Sequence, residues 1–167
     1  LYAEMTPQEF REAVRACPVA YVPLGTLEWH GEHLPIGADG IQSQGFFCEL
    51  AREVGGVVLP MLFLGPDRRR MEEGETFYGM DVAAPHLQDR DYRTQKLAGS
   101  AYWVPDGVFI QMLDCIVANL ARQGFRVILG HGHGPSGKAF GARAERWRTE
   151  HSVICMNCWG GPGDSDG

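Results

Sequence analysis

Short apolar segments alternate with helix-forming segments along this chain, and this alternation constrains the fold more than any other feature. The apolar segments are VAYVPL (residues 19–24), VVLPMLFLG (57–65), FRVIL (125–129) and SVICMNCW (152–159). Strands separated by helices in this way pair in parallel, because each right-handed crossover returns the chain to the same end of the sheet. The sequence therefore predicts an α/β fold in three layers, a mainly parallel sheet flanked by helices.

Helices are predicted before and between these strands. In TPQEFREAVRAC, Thr6 can cap the first helix, Pro7 suits its first position and Glu9 completes a capping box. Further helices are predicted at residues 39–56, 105–124 and 138–150, the third of them with apolar side chains on one face. Residues 66–105 show no clean period, and a loop of that length is expected to be functional or to contain short elements.

The composition indicates one soluble domain with a sizeable core, since the chain has 167 residues and 44% hydrophobic content. Its 21 acidic and 15 basic residues give a net charge of −6, which argues against nucleic acid or an anionic membrane as partner and favours a small neutral or cationic substrate. No apolar run is long enough to span a bilayer, and signal-peptide features are missing. With an odd number of cysteines, five, we expect a reducing, cytoplasmic location.

Five ligand-type side chains lie in PLGTLEWHGEHLPIGADG, residues 23–40, which follows the first strand. Glu28 and His30 are two residues apart and point the same way in an extended chain, and glycines and a proline allow Asp39 to turn back to them. His133 follows the third strand in GHGHG. Because ligands bind beyond the carboxyl ends of parallel strands, these four side chains predict a zinc, manganese or iron site rather than a calcium site.

These segments resemble two sequence signatures of the creatininase, or creatinine amidohydrolase, family. VPLGTLEWHGEHLPIGADG matches a strand, then G-[ST]-x-E-x-H-G-x-H-L-P, then a glycine and an aspartate. QGFRVILGHGHG is similar to the family's helix end, strand and N-G-H-G-G-N turn. The matches cover most of the chain except residues 67–97, which look like an insertion or a divergent loop. The resemblance implies a creatininase-like three-layer fold.

The resemblance also implies a two-metal amidohydrolase, with zinc, manganese or iron, that cleaves a non-peptide C–N bond in a small or cyclic amide. Glu28 and His133 match ligands of one divalent ion and are the predicted catalytic pair. His30 matches a ligand of the other ion, and Asp39 matches the carboxylate that bridges both. A bridging water would attack the carbonyl or amidine carbon while the ions stabilise the oxyanion. His33 matches a residue that orients ligands through hydrogen bonds.

The second signature departs from the family pattern. His131 stands where the family has asparagine, and it is predicted to lie beside the ligands or the substrate. Pro135 occupies the position of a ligand glutamate in creatininase proper, which argues against creatinine as substrate. Other members take their last carboxylate from a later H-A-G-x-x-E-T-S segment that does not occur before Gly167. We therefore expect residues 1–167 to be one creatininase-like domain without its C-terminal part, which is absent or is a second chain, in a homo-oligomer, commonly a hexamer in this family.

Two other functions stay open. Residues 132–138, GHGPSGK, from Gly132 to Lys138, fit a phosphate-binding loop between a strand and a helix, although Ala139 stands where a magnesium-ligating hydroxyl belongs. A scaffold of the same fold that had lost its last ligand would bind metal, or support a partner, without catalysis. Measured metal content would distinguish the hydrolase from the scaffold.

Several further residues have a structural interpretation first. Cys155 and Cys158 form a lone C-x-x-C whose members face opposite sides of a strand, so we interpret them as core thiols. The run DRRR, residues 67–70, is predicted to be a solvated loop. The aromatic residues near strand ends are predicted to be core or interface residues, but Trp159 lies just past the last strand and is a candidate wall of the substrate pocket.

Overall fold

The computed structural model of this chain describes residues 1–82 and 93–158. Six strands lie within them: β1 Val19–Leu24, β2 Val57–Val58, β3 Arg69–Glu72, β4 Glu75–Tyr78, β5 Val127–Gly132 and β6 Ile154–Asn157. The same residues contain four α-helices: α1 Pro7–Ala16, α2 Ala38–Val54, α3 Asp106–Arg122 and α4 Gly134–His151. Strands β2, β1, β5 and β6 form a parallel sheet in that order, and β3 and β4 form an antiparallel hairpin.

Helices cover both faces of the parallel sheet, which confirms the predicted three-layer α/β architecture. On one face, Tyr21 of β1 and Val58 of β2 pack with Phe47 of α2 in a small apolar cluster. On the other face, alternate residues of β1 pack with buried side chains of α1, α3 and α4 in the main core. This separation follows from the period of two in a strand, which sends successive side chains to opposite faces. None of the helices in the described parts of the chain is long and apolar enough to cross a membrane.

The helix predictions are confirmed, with small shifts of their ends. Helix α1 begins with the predicted capping box, because the Thr6 hydroxyl accepts a hydrogen bond from the Glu9 backbone N–H and the Glu9 carboxylate accepts one from the Thr6 backbone N–H. Helix α2 ends before Gly55, whose φ of 91° favours glycine. Helix α4 begins at Gly134, four residues before the predicted start at residue 138. Most of residues 130–137, the glycine-rich segment GHGHGPSG between strand and helix, is therefore helical or part of β5.

The second apolar segment does not form the long strand that was predicted for residues 57–65. Only Val57 and Val58 pair with β1, while Leu62 makes an isolated parallel bridge with Leu24. Leu59 still donates its backbone N–H to the carbonyl of Tyr21, but the next bond to β1 comes from Leu62, so the regular two-residue spacing of the ladder is broken between them. The segment therefore follows β1 in two short pieces and still reaches the carboxyl end of the sheet.

The hairpin β3–β4 lies within the stretch that showed no period in the sequence. It is followed by a short 3-10 turn, Gly79–Asp81, and residues 83–92 of the same stretch lie outside the described residues. The expectation that this stretch contains short elements is confirmed for its described part.

Strands β1 and β5 end at the same level, which places their following residues side by side. Leu24, the last residue of β1, pairs with Gly132, the last residue of β5. Gly132 has a φ of 135°, and a Cβ added there would lie 1.6 Å from the Leu24 carbonyl oxygen. Only glycine allows this approach. The backbone that carries His133 is thereby held against the start of the loop that carries Glu28.

Candidate metal centre

Glu28 lies at the centre of a cluster of two imidazoles and three carboxylates beyond the ends of β1 and β5. Its Oε1 atom is 3.6 Å from the Nε2 atom of His30 and 3.6 Å from the Nε2 atom of His133. Glu28 is held there because its backbone N–H donates to the carbonyl of Ile36, and the N–H of Met80 donates to its side chain. The loop that follows β1 therefore presents a buried carboxylate to both imidazoles.

Asp39 joins this cluster from the first turn of α2. Its Oδ1 atom lies 3.2 Å from Nε2 of His30, and its side chain is 25% exposed. The helix start comes close to β1 because Gly25 and Gly40 touch, and a Cβ on Gly25 would lie 2.9 Å from Cα of Gly40. Glu28, His30 and Asp39 thus form one group whose ligand atoms could surround a metal ion.

Asp67 joins the cluster on the other side and was missed in the sequence. Its Oδ2 atom lies 3.5 Å from Nε2 of His133, and its side chain is only 8% exposed. Glu28, Asp67 and His133 form a second group whose ligand atoms could hold an ion. The prediction of a solvated DRRR loop was therefore wrong for Asp67, whose side chain is buried, and Arg69 and Arg70 begin strand β3 instead of lying in a loop. All three arginines are exposed, as predicted.

Hydrogen bonds orient both imidazole rings with Nε2 toward the carboxylates. Nδ1 of His30 lies 3.2 Å from the backbone carbonyl of Glu28, and a carbonyl can only accept, so Nδ1 carries the proton and donates it. Nδ1 of His133 is 2.9 Å from the hydroxyl of Ser136, a fully buried residue in the first turn of α4. These contacts direct both Nε2 atoms toward the carboxylates, which is the ring orientation that metal-ligating histidines need.

Gly79 brings the backbone after β4 directly against the carboxylates. A Cβ at this position would lie 2.2 Å from Oδ2 of Asp67 and 2.4 Å from Oε2 of Glu28, and the φ of Gly79 is 54°. The backbone N–H of Gly79 donates to the carbonyl of Arg68. Any side chain at position 79 would therefore displace a carboxylate, so the hairpin closes one wall of the cluster.

Burial and crowding of like charges perturb the protonation of these carboxylates. Burial raises the pKa of Glu28 to about 8, with further increases from the charge and hydrogen bond of Asp67 and from the charge of Asp39. Burial also acts to raise the pKa of Asp67, but hydrogen bonds with His133 and Glu28 and the charge of His133 outweigh it and lower this pKa overall. Without a cation, Glu28 therefore holds a proton at neutral pH.

The spacing and chemistry of these atoms fit divalent metal ions. Ligand atoms about 2.0–2.2 Å from one ion lie about 3.0–3.5 Å from one another in tetrahedral or octahedral arrangements. The four imidazole-to-carboxylate distances are 3.6, 3.2, 3.6 and 3.5 Å. Imidazole and carboxylate ligands together suit zinc, manganese or iron. A cation would also replace the proton on Glu28 and relieve the repulsion among the carboxylates.

The remaining candidate residues lie at different distances from this cluster. His33 is exposed in the loop after β1, and its predicted role in orienting ligands stays a prediction. His131 packs against Phe46 and Phe47, with ring centroids 4.8 and 5.8 Å away, and its carbonyl accepts a hydrogen bond from Ser43. Burial lowers the pKa of His131, partly offset by the charge of Asp39. Trp159 lies outside the described residues.

The structure disfavours a phosphate-binding loop at residues 132–138. His133 is the N-cap of α4, and its ring faces the carboxylates of Glu28 and Asp67, which would repel a phosphate. Lys138 is exposed. Cys155 is buried, with a pKa that burial raises to about 11, and Cys158 is half-buried, in keeping with the core-thiol interpretation.

A small cavity opens beside the cluster. Its volume is about 100 Å³, and its walls are Thr26, Leu27, Glu28, Asp67, Tyr78, Ser100 and Ala101. A larger cleft of about 400 Å³ lies between the N-terminus, α2 and β2, and no residue of the cluster lines it. The small cavity is the better candidate for a substrate site because it alone of the two is lined by residues of the cluster.

Comparisons with known proteins agree with this geometry. The family model described as "Creatininase: Creatinine amidohydrolase" matches residues 3–163. Similar solved structures include "Crystal structure of creatinine amidohydrolase (creatininase)" at 21% identity and a TM-score of 0.63, and "Creatininase Mn" at 20% identity and a TM-score of 0.63. A Zn-Zn type structure of a creatininase mutant is 22% identical, with a TM-score of 0.62.

Each of these three comparisons covers 93% of this chain. The chain spans only 55, 56 and 55% of the respective structures, so it corresponds to somewhat more than half of their length. A comparison with curated protein sequences gave no significant match. The likeness of the structures shows the fold, and the family model matches nearly the whole chain. The chain therefore belongs to the creatininase, or creatinine amidohydrolase, family.

Proposed function

We propose that this chain acts as a metal-dependent amidohydrolase that cleaves the C–N bond of a small non-peptide amide, cyclic amides included. The observation that carries the proposal is the convergence of two imidazoles and three carboxylates at the ends of β1 and β5. Membership of the creatininase family supports the reaction class, because the matching family model is described as creatinine amidohydrolase.

Glu28, His30, Asp39 and His133 would hold two divalent ions. Zinc and manganese are the first candidates, since similar structures are described as Mn and Zn-Zn forms. When bound, the ions would acidify a shared water molecule, which then attacks the amide carbon, and would polarise the amide oxygen. The alternative of a non-catalytic metal-binding scaffold predicts the same ions without turnover.

The residues of this chain would prepare the site in three ways. The carbonyl of Glu28 and the hydroxyl of Ser136 fix the two imidazole rings. Burial of Glu28 excludes water from the inner part of the cluster, which strengthens the electrostatic attraction to a cation. Gly79 keeps side-chain atoms away from the carboxylates. Each of these contacts reduces the reorganisation that binding and catalysis would require.

The surroundings of the cluster favour a small substrate without negative charge. A cavity of about 100 Å³ accommodates only a few non-hydrogen atoms beside Glu28 and Asp67. The acidic surface, with a net charge of −6, would repel anions. We also propose a homo-oligomeric assembly, hexameric by family resemblance, with the C-terminal part supplied by the remainder of the chain or by a second chain. Light scattering on the native protein measures that assembly.

Metal analysis and a substrate screen on the native protein test the proposed function. We expect about two divalent ions per chain after reconstitution with zinc or manganese, and hydrolysis of at least one cyclic amide, formamide or creatinine. Glu28→Gln and His133→Ala should each reduce turnover by more than about 100-fold, since both remove a ligand. His151→Ala, at the far end of α4, is the matched control and should retain full activity.

Three outcomes decide the proposal. Turnover that persists in Glu28→Gln and His133→Ala would defeat the site assignment. Two bound ions without turnover of any amide would favour the scaffold. A protein that binds no divalent ion after reconstitution would overturn the metal-dependent function altogether.

A further inference from the structure

We infer that Asp67 supplies a carboxylate ligand to the half of the centre that contains His133. This inference rests on the proposed function in one respect, that the cluster binds two divalent ions. It goes beyond the sequence resemblance, which places no ligand at position 67.

Glu28 is placed between the two imidazoles more evenly than any other described carboxylate. One oxygen of Glu28, Oε1, is 3.6 Å from Nε2 of His30 and 3.6 Å from Nε2 of His133. Asp39 belongs to only one of the two candidate groups found among the described residues, the one with His30. Asp67 is the third member of the other group, together with Glu28 and His133.

Each half then has one imidazole and one carboxylate of its own. Oδ1 of Asp39 is 3.2 Å from Nε2 of His30, and Oδ2 of Asp67 is 3.5 Å from Nε2 of His133. The two halves are thus equivalent in ligand type, with one nitrogen ligand and two carboxylates around each position. Such a set satisfies the needs of zinc or manganese when water or substrate fills the remaining positions.

Asp67 is held in place before any ion binds. The backbone N–H of Arg68 donates to its Oδ1 atom at 2.7 Å, which leaves Oδ2 directed at His133. The indole N–H of Trp103 donates to the backbone carbonyl of Asp67 at 3.3 Å. Its side chain is buried beside His133, so a cation bound there would meet a carboxylate that is already oriented and little screened by solvent.

Asp67 also accounts for the proline in the second signature. Pro135 lies in the first turn of α4 and offers no metal ligand where the resemblance places a glutamate. Asp67 approaches His133 from the segment before β3 and places its carboxylate next to the same imidazole. The carboxylate that Pro135 cannot supply is therefore available from another part of the same chain.

Metal counting on single and double variants tests this inference. The native protein and Asp67→Asn are stripped with chelator, reconstituted with manganese or zinc, freed of excess metal and measured by elemental analysis and by titration calorimetry. We expect two ions in the native protein and one in Asp67→Asn, with the lost ion bound more than about 100-fold more weakly. This loss of affinity exceeds the roughly 10- to 100-fold loss expected when a residue that only hydrogen-bonds to a metal ligand is removed.

Double variants show which half has lost its ion. Asp67→Asn added to His133→Ala should cost no further ion, because both residues serve the same half. Asp67→Asn added to His30→Ala should remove the last ion. Glu75→Gln, an exposed change in the same hairpin, is the control and should keep two ions. Asp67→Ser, counted on the folded fraction from gel filtration, gives a second test if Asp67→Asn folds poorly.

The outcomes separate this inference from the proposed function. A native protein with two ions and an Asp67→Asn protein with two ions of unchanged affinity would overturn the role of Asp67 while the proposed function stands. Loss of an ion from the His30 half instead would also overturn it. A native protein that binds no ions would refute the proposed function itself.

Discussion

The metal-free protein should lose stability as the pH rises from about 5 to about 8, because folding forces a proton onto Glu28. Burial and the neighbouring Asp67 raise the pKa of Glu28 from 4.5 to about 8. Between these values the folded chain binds more protons than the unfolded chain, so the free energy of unfolding decreases with rising pH. Below the pKa of Glu28 in the unfolded chain this loss of stability is absent. Above the pKa of Glu28 in the folded chain the loss no longer changes with pH.

The size of this effect follows from the width of the pKa window. One pH unit within the window changes the free energy of unfolding by at most about 1.4 kcal/mol, so a rise from about pH 5.5 to about pH 7.5 costs about 2–3 kcal/mol. Asp67 has a lowered pKa, so its stabilisation is lost only as the pH falls through the acid range below this window. Burial lowers the pKa of His131, which acts in the opposite direction as the pH rises toward the ordinary histidine pKa, but this contribution is the same in the native protein and in Glu28→Gln. For a domain of this size, the melting temperature should fall by roughly 4–10 °C.

Thermal melts of the native protein and Glu28→Gln in chelator measure this effect directly. Glutamine cannot ionise, and its amide can still donate to Asp67 as the protonated carboxyl does. The variant should therefore match the native protein near pH 5 and become the more stable of the two by pH 8. Excess manganese should remove the difference by stabilising the native protein. Parallel melting curves for the two metal-free proteins across this range would refute the reasoning.

Two further substitutions probe how the cluster is built, each with a matched control. Ser136→Ala removes the hydroxyl at Nδ1 of His133, and we expect the affinity for divalent metal, measured by calorimetry, to fall roughly 10- to 100-fold. The control is Ser43→Ala, which removes only the hydrogen bond to the carbonyl of His131. It should lower the melting temperature without changing the metal affinity. Gly79→Ala should abolish binding of at least one ion, because its Cβ would overlap the carboxylates of Glu28 and Asp67. The control is Gly74→Ala, at a position with a similar positive φ but open space around it. This control should cost only about 1–2 kcal/mol of stability. Unchanged metal content in Gly79→Ala would contradict the close approach of the backbone.

The architecture could be predicted from the sequence because it depends on local patterns. The capping box at Thr6 and the apolar strand that ends at Leu24 are set by neighbouring residues. Glu28 and His30 could be found because they follow that strand closely. In contrast, the second strand was predicted too long, since an apolar run indicates burial but does not show whether its hydrogen bonds to the neighbouring strand keep a regular spacing.

The sequence contained evidence that Asp67 belongs to the site, but the arginines that follow it favoured a different interpretation. The segment VVLPMLFLGPD reaches the same sheet edge as the other ligand segments, as the bridge between Leu62 and Leu24 shows. The rule that ligands follow strand ends therefore applies to Asp67 as well as to Glu28. The adjoining arginines made the run look like a solvated loop, and only the fold shows that they are exposed while the side chain of Asp67 is buried.

The parts of the site that were missed, Asp67, Gly79 and Ser136, lie on its buried side, where the predicted ligand His133 also lies. The side chains of Asp67 and His133 are 8% and 4% exposed, whereas those of His30 and Asp39 are 22% and 25% exposed. Residues on the open side come from one loop and the helix after it, so their spacing along the chain reflects their spacing in the site. Residues on the buried side are joined by the hairpin β3–β4 and the first turn of α4, whose contacts depend on tertiary packing. The inner half of the centre therefore depends on the folded state, which is why substitutions at Gly79 or Ser136 should affect metal binding although neither residue is a ligand.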